Sequence, residues 1–283
     1  MYICGQKNLT QTVDRLVDNG RFPRFSILQG PTGFGKKVLC EYISKKLDAM
    51  FIPCETKIDG IREIIDMAYD YTSKTVVYMF ADCDDLSVGA ANALLKITEE
   101  PPRGAYILMT VSNLNNVLPT LISRATIFTL DSYSDSDISE YIEHKKLAFE
   151  PDVREIVEFI SACPNDVVLC TTTDIERLDK LADTFVNNIG LANLGNELKI
   201  AGMLKTKDDD DDKLNPVLFM RCIMKKCSKA CSATNDHAHI QICEKLIRIT
   251  SNYIHAISTK GANKQMELDN WIIDCHIALG GAY

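Results

Sequence analysis

The residues with the clearest capacity for chemistry lie between Gly30 and Lys37, where the chain reads Gly-Pro-Thr-Gly-Phe-Gly-Lys-Lys. Glycines at this spacing let backbone N–H groups surround phosphate oxygens, and the first lysine reaches the outer phosphates. The predicted phosphate-binding residues are Gly30, Thr32, Gly33, Gly35, Lys36 and Lys37. The complete motif continues with a Ser or Thr that ligates Mg²⁺. Lys37 stands there instead, and a cation cannot ligate a cation, so the sequence predicts an anion cradle without its metal ligand.

A second set of polar residues follows a buried run, Val76 to Phe80, and reads Ala-Asp-Cys-Asp-Asp. A hydrolysing P-loop site needs an acidic residue for the Mg²⁺ shell and a carboxylate base at the end of such a strand. In one register Ala81 takes the metal position and Asp82 the base position; in the other, Asp82 is followed by Cys83. Neither register supplies both carboxylates, so we expect little or no hydrolysis. A polar turn without chemical duty is the alternative interpretation of these aspartates.

Five apolar runs alternate with helical patterns, which predicts a parallel sheet with both faces covered. The runs are Phe25 to Leu28, Met50 to Pro53, Thr75 to Ala81, Tyr106 to Val111 and Thr126 to Leu130. The glycine loop follows the first run and precedes apolar residues at helical spacing, so it joins a strand to a helix. A further helix, over residues 90–100, must end before the Pro101-Pro102 pair.

After Leu130 the sequence shows only helical patterns. Ser134 is placed to cap one helix, and a longer helical stretch runs from Ile175 to Ile189 and is closed by Gly190. The predicted division is therefore an α/β P-loop domain over 1–130, a small helical domain over 131–174 and an all-α domain over 175–283.

Composition excludes several classes of protein. The net charge of −8 argues against binding nucleic acid through a global positive field, and no apolar run is long enough to span a membrane, so a cytoplasmic protein is expected. The eleven cysteines lack paired spacing. We expect the cysteines to be buried thiols and the acidic run 207–213 to be a solvated loop. The weaker alternatives are a zinc site among Cys222 to Cys243 and a Ca²⁺ site in the acidic run, and no metal site is predicted.

The run Ala-Ala-Asn-Ala-Leu-Leu-Lys at 90–96, followed by Glu-Glu-Pro-Pro at 99–102, is the most specific motif in the chain. Together with Asn-Gly-Arg-Phe-Pro at 19–23 and Ser-Arg at 123–124, it resembles bacterial-type sliding-clamp loader subunits of the AAA+ superfamily. The resemblance is closest to the delta-prime type of the DNA polymerase III clamp loader. It is strong over 1–130, and weak but collinear beyond. The resemblance implies that the helical domain over 131–174 is a lid domain and that the all-α domain over 175–283 is a collar domain for oligomerisation.

The resemblance implies a function and a role for one arginine. The family's Ser-Arg-Cys motif donates an arginine finger to ATP on the neighbouring subunit; here Ser123-Arg124-Ala125 keeps the arginine and loses the cysteine. The cis-acting arginine of the family's motor subunits has no counterpart in Cys163-Pro164-Asn165-Asp166. The implied protein is a stator-like subunit without its own ATPase activity, in a hetero-pentamer that loads a sliding clamp onto primer-template DNA.

Two other functions are compatible with the same residues. The chain could be an active ATP-hydrolysing motor subunit, with Lys36 binding ATP and Asp82 sufficing for Mg²⁺. It could also be a stand-alone P-loop NTPase or small-molecule kinase, although nothing after residue 130 resembles a substrate lid. Whether ATP, ADP or a bare phosphate occupies the loop stays open at this point.

Overall fold

The computed structural model describes residues 2–70, 74–190, 193–204, 214–258 and 262–280. The chain forms two compact units. The first comprises Met1–Asp137 with Cys163–Asn165, and the second Ile138–Ala162 with Asp166–Tyr283. The three-way division at residues 130 and 174 stays a prediction.

The first unit contains the predicted five-stranded parallel sheet, which the structure confirms. The strands are β1 (Phe25–Gln29), β2 (Met50–Cys54), β3 (Val76–Phe80), β4 (Ala105–Val111) and β5 (Thr126–Thr129). Their order across the sheet is β2-β3-β4-β1-β5, and every pairing is parallel. Strand β1 therefore lies between β4 and β5. The glycine loop follows β1, so it begins at a strand that has a neighbouring strand on each side.

Side chains of the central strands alternate between two apolar cores, one on each face of the sheet. Tyr78 and Ile107 point into a core completed by the helices after β2 and β3, while Val77 and Leu108 point into a core completed by the first two helices. All four side chains are almost fully buried. This two-sided burial explains why the strands read as continuous apolar runs in the sequence.

Five helices belong to the part of the chain that carries the sheet: α1 (Lys7–Asp18), α2 (Lys36–Lys46), α3 (Ile58–Asp70), α4 (Val88–Glu99) and α5 (Pro119–Ile122). Helix α4 ends at Glu99, two residues before Pro101, as the proline pair predicts. Gly20 ends α1 in the left-handed conformation, at φ 63°. Ser87 caps α4 by accepting a hydrogen bond from the Ala90 amide.

The remaining helices are α6 (Asp135–Lys145), α7 (Pro151–Ile160), α8 (Pro164–Cys170), α9 (Ile175–Asn188), α10 (Leu194–Ala201), α11 (Pro216–Ala233), α12 (His237–Ser258) and α13 (Lys264–Ala278). Ser134 caps α6 as predicted, because its hydroxyl accepts from the Asp137 amide at 3.2 Å. Among the described residues of this region, the only β pairing is an isolated bridge between Leu204 and Leu214.

An aromatic cluster forms the centre of the second unit. The Trp271 ring stacks on Phe185 at a centroid distance of 4.9 Å and meets Phe219 edge-on at 6.0 Å. The indole N–H donates to Thr250 Oγ1 at 3.2 Å, so the one polar atom of this ring is satisfied. The cluster joins α9, α11, α12 and α13.

Two weaker sequence interpretations concern the second unit. Within the described residues, no group of three or more His, Cys, Asp or Glu side chains is arranged to hold a metal ion, and the Cys222 thiol lies against Asp179. The acidic run 207–213 lies outside the described residues. No helix in the described ranges is both long and apolar enough to cross a membrane.

Candidate functional site

The glycine loop spans the gap between β1, which ends at Gln29, and α2, which begins at Lys36. Gly33 and Gly35 adopt left-handed conformations, at φ 86° and 82°, which side chains with a Cβ rarely adopt. Gly35 is also the N-cap of α2. The loop therefore presents a helix N-terminus to the carboxyl edge of the sheet, where an anion is favoured by the exposed N–H groups and the helix dipole.

Residues distant in sequence pack directly against this loop. A Cβ on Gly33 would lie 2.9 Å from Asn165 Cβ and 3.0 Å from Cys163 Sγ, so only glycine fits there. On another part of the loop, the Tyr133 hydroxyl donates to the Phe34 carbonyl oxygen at 2.7 Å. Burial is the main cause that raises the Tyr133 pKa well above its usual range, which keeps the phenol protonated as the donor.

Lys36 is 7% exposed and turns back onto its own loop. Its ammonium group donates to the carbonyl oxygens of Gly30 and Pro31 and lies 3.5 Å from Ser112 Oγ. Burial lowers the Lys36 pKa, and the carboxylates of Asp82 and Asp84 partly offset that effect. Those two carboxylates therefore belong to the same site as the lysine.

Asp82 is an exposed residue of the turn after β3, and its carboxylate acts on the Lys36 ammonium group. Its backbone is left-handed, at φ 49°, and its amide donates to Thr110 Oγ1 at 3.0 Å. Ala81 precedes it at the end of the strand and packs against the apolar core. Asp82 is thus fixed through its backbone, while its carboxylate faces solvent near Lys36.

Asp84 and Cys83 have structural partners instead. The Asp84 carboxylate accepts from the Ser112 amide at 2.9 Å and from the Asn113 amide at 2.7 Å, which ties this turn to the end of β4. Cys83 is fully buried and donates to the Phe80 carbonyl oxygen at 3.3 Å. Burial raises its pKa to about 12, so the thiol is not available as a base near neutral pH.

Two of the predicted phosphate-binding residues are on the surface of the loop. Thr32 and Lys37 are both exposed. The site therefore combines one buried ammonium group, left-handed glycines at a helix N-terminus and one free carboxylate. Such an arrangement can bind an anion, but it lacks the pair of carboxylates and the hydroxyl that organise Mg²⁺ for hydrolysis.

Arg124 lies apart from this loop, just after α5 and before β5. Its guanidinium forms an ion pair with Glu99 at 2.6 Å and donates to the Thr120 carbonyl oxygen at 2.8 Å. The side chain is 37% exposed. The structure thus places the predicted trans-acting arginine on the surface, separate from the chain's own phosphate loop.

An arginine that the sequence interpretation missed reaches the 163–166 segment from elsewhere. Arg221 of α11 forms an ion pair with Asp166, which is 4% exposed. The Asp166 carboxylate also accepts from the Ala162 amide at 2.9 Å. The Asp166 carboxylate therefore fastens the start of α8 to α11.

Other site residues could not be identified from the sequence. Thr110, Ser112 and Tyr133 contact the turn after β3 or the loop, yet none belongs to a sequence motif of its own. Only the parallel pairing of β3 with β4 could have indicated the contact of Thr110 with this turn, since it places the residues after Phe80 beside Thr110. Nothing in local sequence predicts the contact of Cys163 and Asn165 with Gly33.

The β2-β3-β4-β1-β5 order, with a glycine loop after β1 and an acidic turn after β3, defines a parallel α/β fold of the P-loop type. A solved structure of a Thermotoga maritima RuvB mutant has the same fold: the TM-score is 0.52, at 15% identity, with 94% of this chain and 88% of that one covered.

Sequence comparison shows which proteins the chain is similar to. The family described as DNA polymerase III, delta subunit, matches residues 48–134. DNA polymerase III subunit gamma of Buchnera aphidicola is 28% identical over 266 residues, covering 80% of this chain and 70% of that protein. Subunit tau of Bacillus subtilis is 23% identical over 189 residues, covering 55% and 34%. The chain is therefore similar in sequence to DNA polymerase III delta, gamma and tau subunits.

Proposed function

We propose that this chain is a delta-prime-type subunit of a clamp loader, which does not hydrolyse ATP itself. It would assemble with other loader subunits into a hetero-pentamer and help to place a sliding clamp on primer-template DNA. Its first two domains, over 1–174, would contact the neighbouring motor subunit, and its helical third domain, over 175–283, would join the collar. Arg124 would act in trans on the nucleotide bound by that motor subunit.

The observation that carries this proposal is the state of the acidic turn after β3. Asp84 is engaged by two backbone amides and Cys83 is a buried thiol, which leaves Asp82 as the one exposed carboxylate close to Lys36. One carboxylate cannot both hold the Mg²⁺ shell and activate water. Since Lys37 also replaces the hydroxyl ligand, two independent features disfavour hydrolysis at this loop.

The position of Arg124 supports the second half of the proposal. Arg124 precedes β5, whose first residue, Thr126, pairs with Ser26 near the start of β1, whereas the glycine loop follows the end of β1. The arginine therefore lies toward the opposite edge of the sheet from its own loop, where it would adjoin a nucleotide held by another subunit. An arginine at such a site stabilises the charge of the phosphoryl-transfer transition state and contributes ~10³-fold or more to the rate.

The test is Arg124→Ala in the assembled loader, with the nucleotide sites not adjoining this chain inactivated. We expect assembly by gel filtration to be unchanged and ATP turnover at the remaining site to fall by about 10²-fold or more. Arg103→Ala, at another exposed arginine of the same unit, is the control. Normal turnover in an intact Arg124→Ala complex would refute the trans role.

The names of the relatives favour a second candidate, an active motor subunit, because the matched proteins are gamma and tau subunits. Binding of ATP by the isolated chain, measured with and without Mg²⁺, distinguishes the two. Weak, metal-independent binding or none fits the stator. Tight binding that requires Mg²⁺ and is lost in Lys36→Ala would establish the motor.

A further inference from the structure

We propose that Glu99 is the positioning residue of Arg124: its carboxylate holds the guanidinium in the orientation in which the arginine meets a neighbouring subunit's phosphates. The inference rests on the proposed trans role of Arg124 and adds a residue to it. Glu99 itself would touch no nucleotide.

The backbone at Arg124 is already fixed by its surroundings. Leu121 is fully buried in the core of the first unit, and the amides of Ser123 and Arg124 donate to the carbonyl oxygens of Pro119 and Leu121. What the backbone leaves undetermined is the direction of a long, flexible side chain. That direction is set by two contacts of the guanidinium.

Through those contacts the guanidinium is bound to two helices, α5 and α4. Nη1 donates to the Thr120 carbonyl oxygen at 2.8 Å, and Nη2 pairs with Glu99 Oε1 at 2.6 Å. Together they take two of the five N–H groups of an arginine. The side chain remains 37% exposed, so part of the group is accessible to a phosphate while its plane is held.

Glu99 is itself firmly placed. It is the last residue of α4, directly after Ile97 and Thr98, which are both buried. The proline pair at 101–102 stops the helix there. The carboxylate thus projects from a fixed point at the outer side of the helix end.

The location of Glu99 is unfavourable for the helix alone. Carbonyl groups at a helix C-terminus carry partial negative charge, which disfavours a carboxylate in the last turn. An ion pair this exposed, with Glu99 49% accessible, also stabilises a fold little. A carboxylate at this position is therefore explained better by what it does to Arg124 than by what it does for α4.

The experiment compares Glu99→Ala, Glu99→Gln and Glu100→Ala in the assembled loader, with ATP turnover followed at the one active site that this chain adjoins. Glu100 is the matched control, because it is the adjacent exposed carboxylate. Glu99→Ala should lower kcat by about 3- to 10-fold with KM for ATP unchanged. Glu99→Gln should restore most of the rate, because the amide oxygen still accepts from Nη2. Glu100→Ala should match the wild type.

A double variant separates this inference from the function on which it rests. Glu99→Ala should have no further effect in the Arg124→Ala background, since both changes act through one group. If Arg124→Ala lowers turnover but Glu99→Ala does not, or raises it, the positioning role is wrong while the trans role stands. If Arg124→Ala itself has no effect, the proposed function fails first.

Discussion

Removal of the Asp84 carboxylate should destabilise the protein and loosen the end of β4, because this carboxylate accepts hydrogen bonds from the two backbone amides that follow the strand. Asp84→Ala leaves the amides of Ser112 and Asn113 without their acceptor. Hydrogen bonds to a charged group contribute ~1.5–3 kcal/mol each, and both amides are partly exposed, so we expect a loss of about 2–3 kcal/mol in the free energy of unfolding.

Two measurements and two control variants make this prediction specific. Urea denaturation gives the overall loss, and hydrogen exchange should show the two amides exchanging about 30- to 150-fold faster, at ~1.4 kcal/mol per factor of ten. Asp84→Asn retains one acceptor oxygen and should lose about half as much. Asp85→Ala removes the adjacent exposed carboxylate and should change neither quantity.

The result that would refute this reasoning is an Asp84→Ala protein as stable as Asp85→Ala, with unchanged exchange at Ser112 and Asn113. If such a protein also lost Mg²⁺-dependent ATP binding, Asp84 would be a metal ligand. The chain would then hold Mg²⁺ at its own loop, which contradicts the proposed non-hydrolysing role.

Two further predictions test the burial of single side chains. Trp271→Ala should lower the free energy of unfolding by ~3–5 kcal/mol in urea denaturation, because it empties the space beside Phe185. Trp271→Phe should lower the free energy of unfolding by less. A loss under about 1 kcal/mol in the alanine variant would contradict the packing. The raised pKa of Cys83, about 12, means that the unfolded chain deprotonates first as pH rises. Stability should therefore be full below pH ~8.5 and fall between pH ~9 and 12, by up to ~1.4 kcal/mol per pH unit from this thiol. Cys83→Ala should reduce the slope of stability against pH, and equal slopes would exclude a buried thiol.

The sheet could be predicted because its signals are local. Each strand is buried on both faces, and a run such as Val76 to Phe80 reports that burial directly. The end of α4 before its proline pair and the Ser134 cap follow from the geometry of single residues. Such features need no knowledge of distant contacts.

The site was predictable only in part, since its decisive contacts join residues far apart in sequence. The sequence left two registers open for Ala81, Asp82 and Cys83. Only the fold shows that Cys83 faces the core and that Asp84 is bonded to amides 28 and 29 residues away. The ion pair of Glu99 with Arg124 likewise depends on how α4 packs beside α5.

The fold alone explains why these residues stand in the glycine loop, without any role for them in binding a nucleotide. Gly33 is required by its left-handed backbone and by the close approach of Cys163 and Asn165, and Gly35 by the start of α2. Lys36 satisfies carbonyl oxygens of its own loop. A chain could therefore lose hydrolysis and still need these residues to fold, so the loop alone does not identify an ATPase. The residues that discriminate are those whose side chains have no such structural role, Lys37 and Asp82, and both support the proposal that this loop does not hydrolyse ATP.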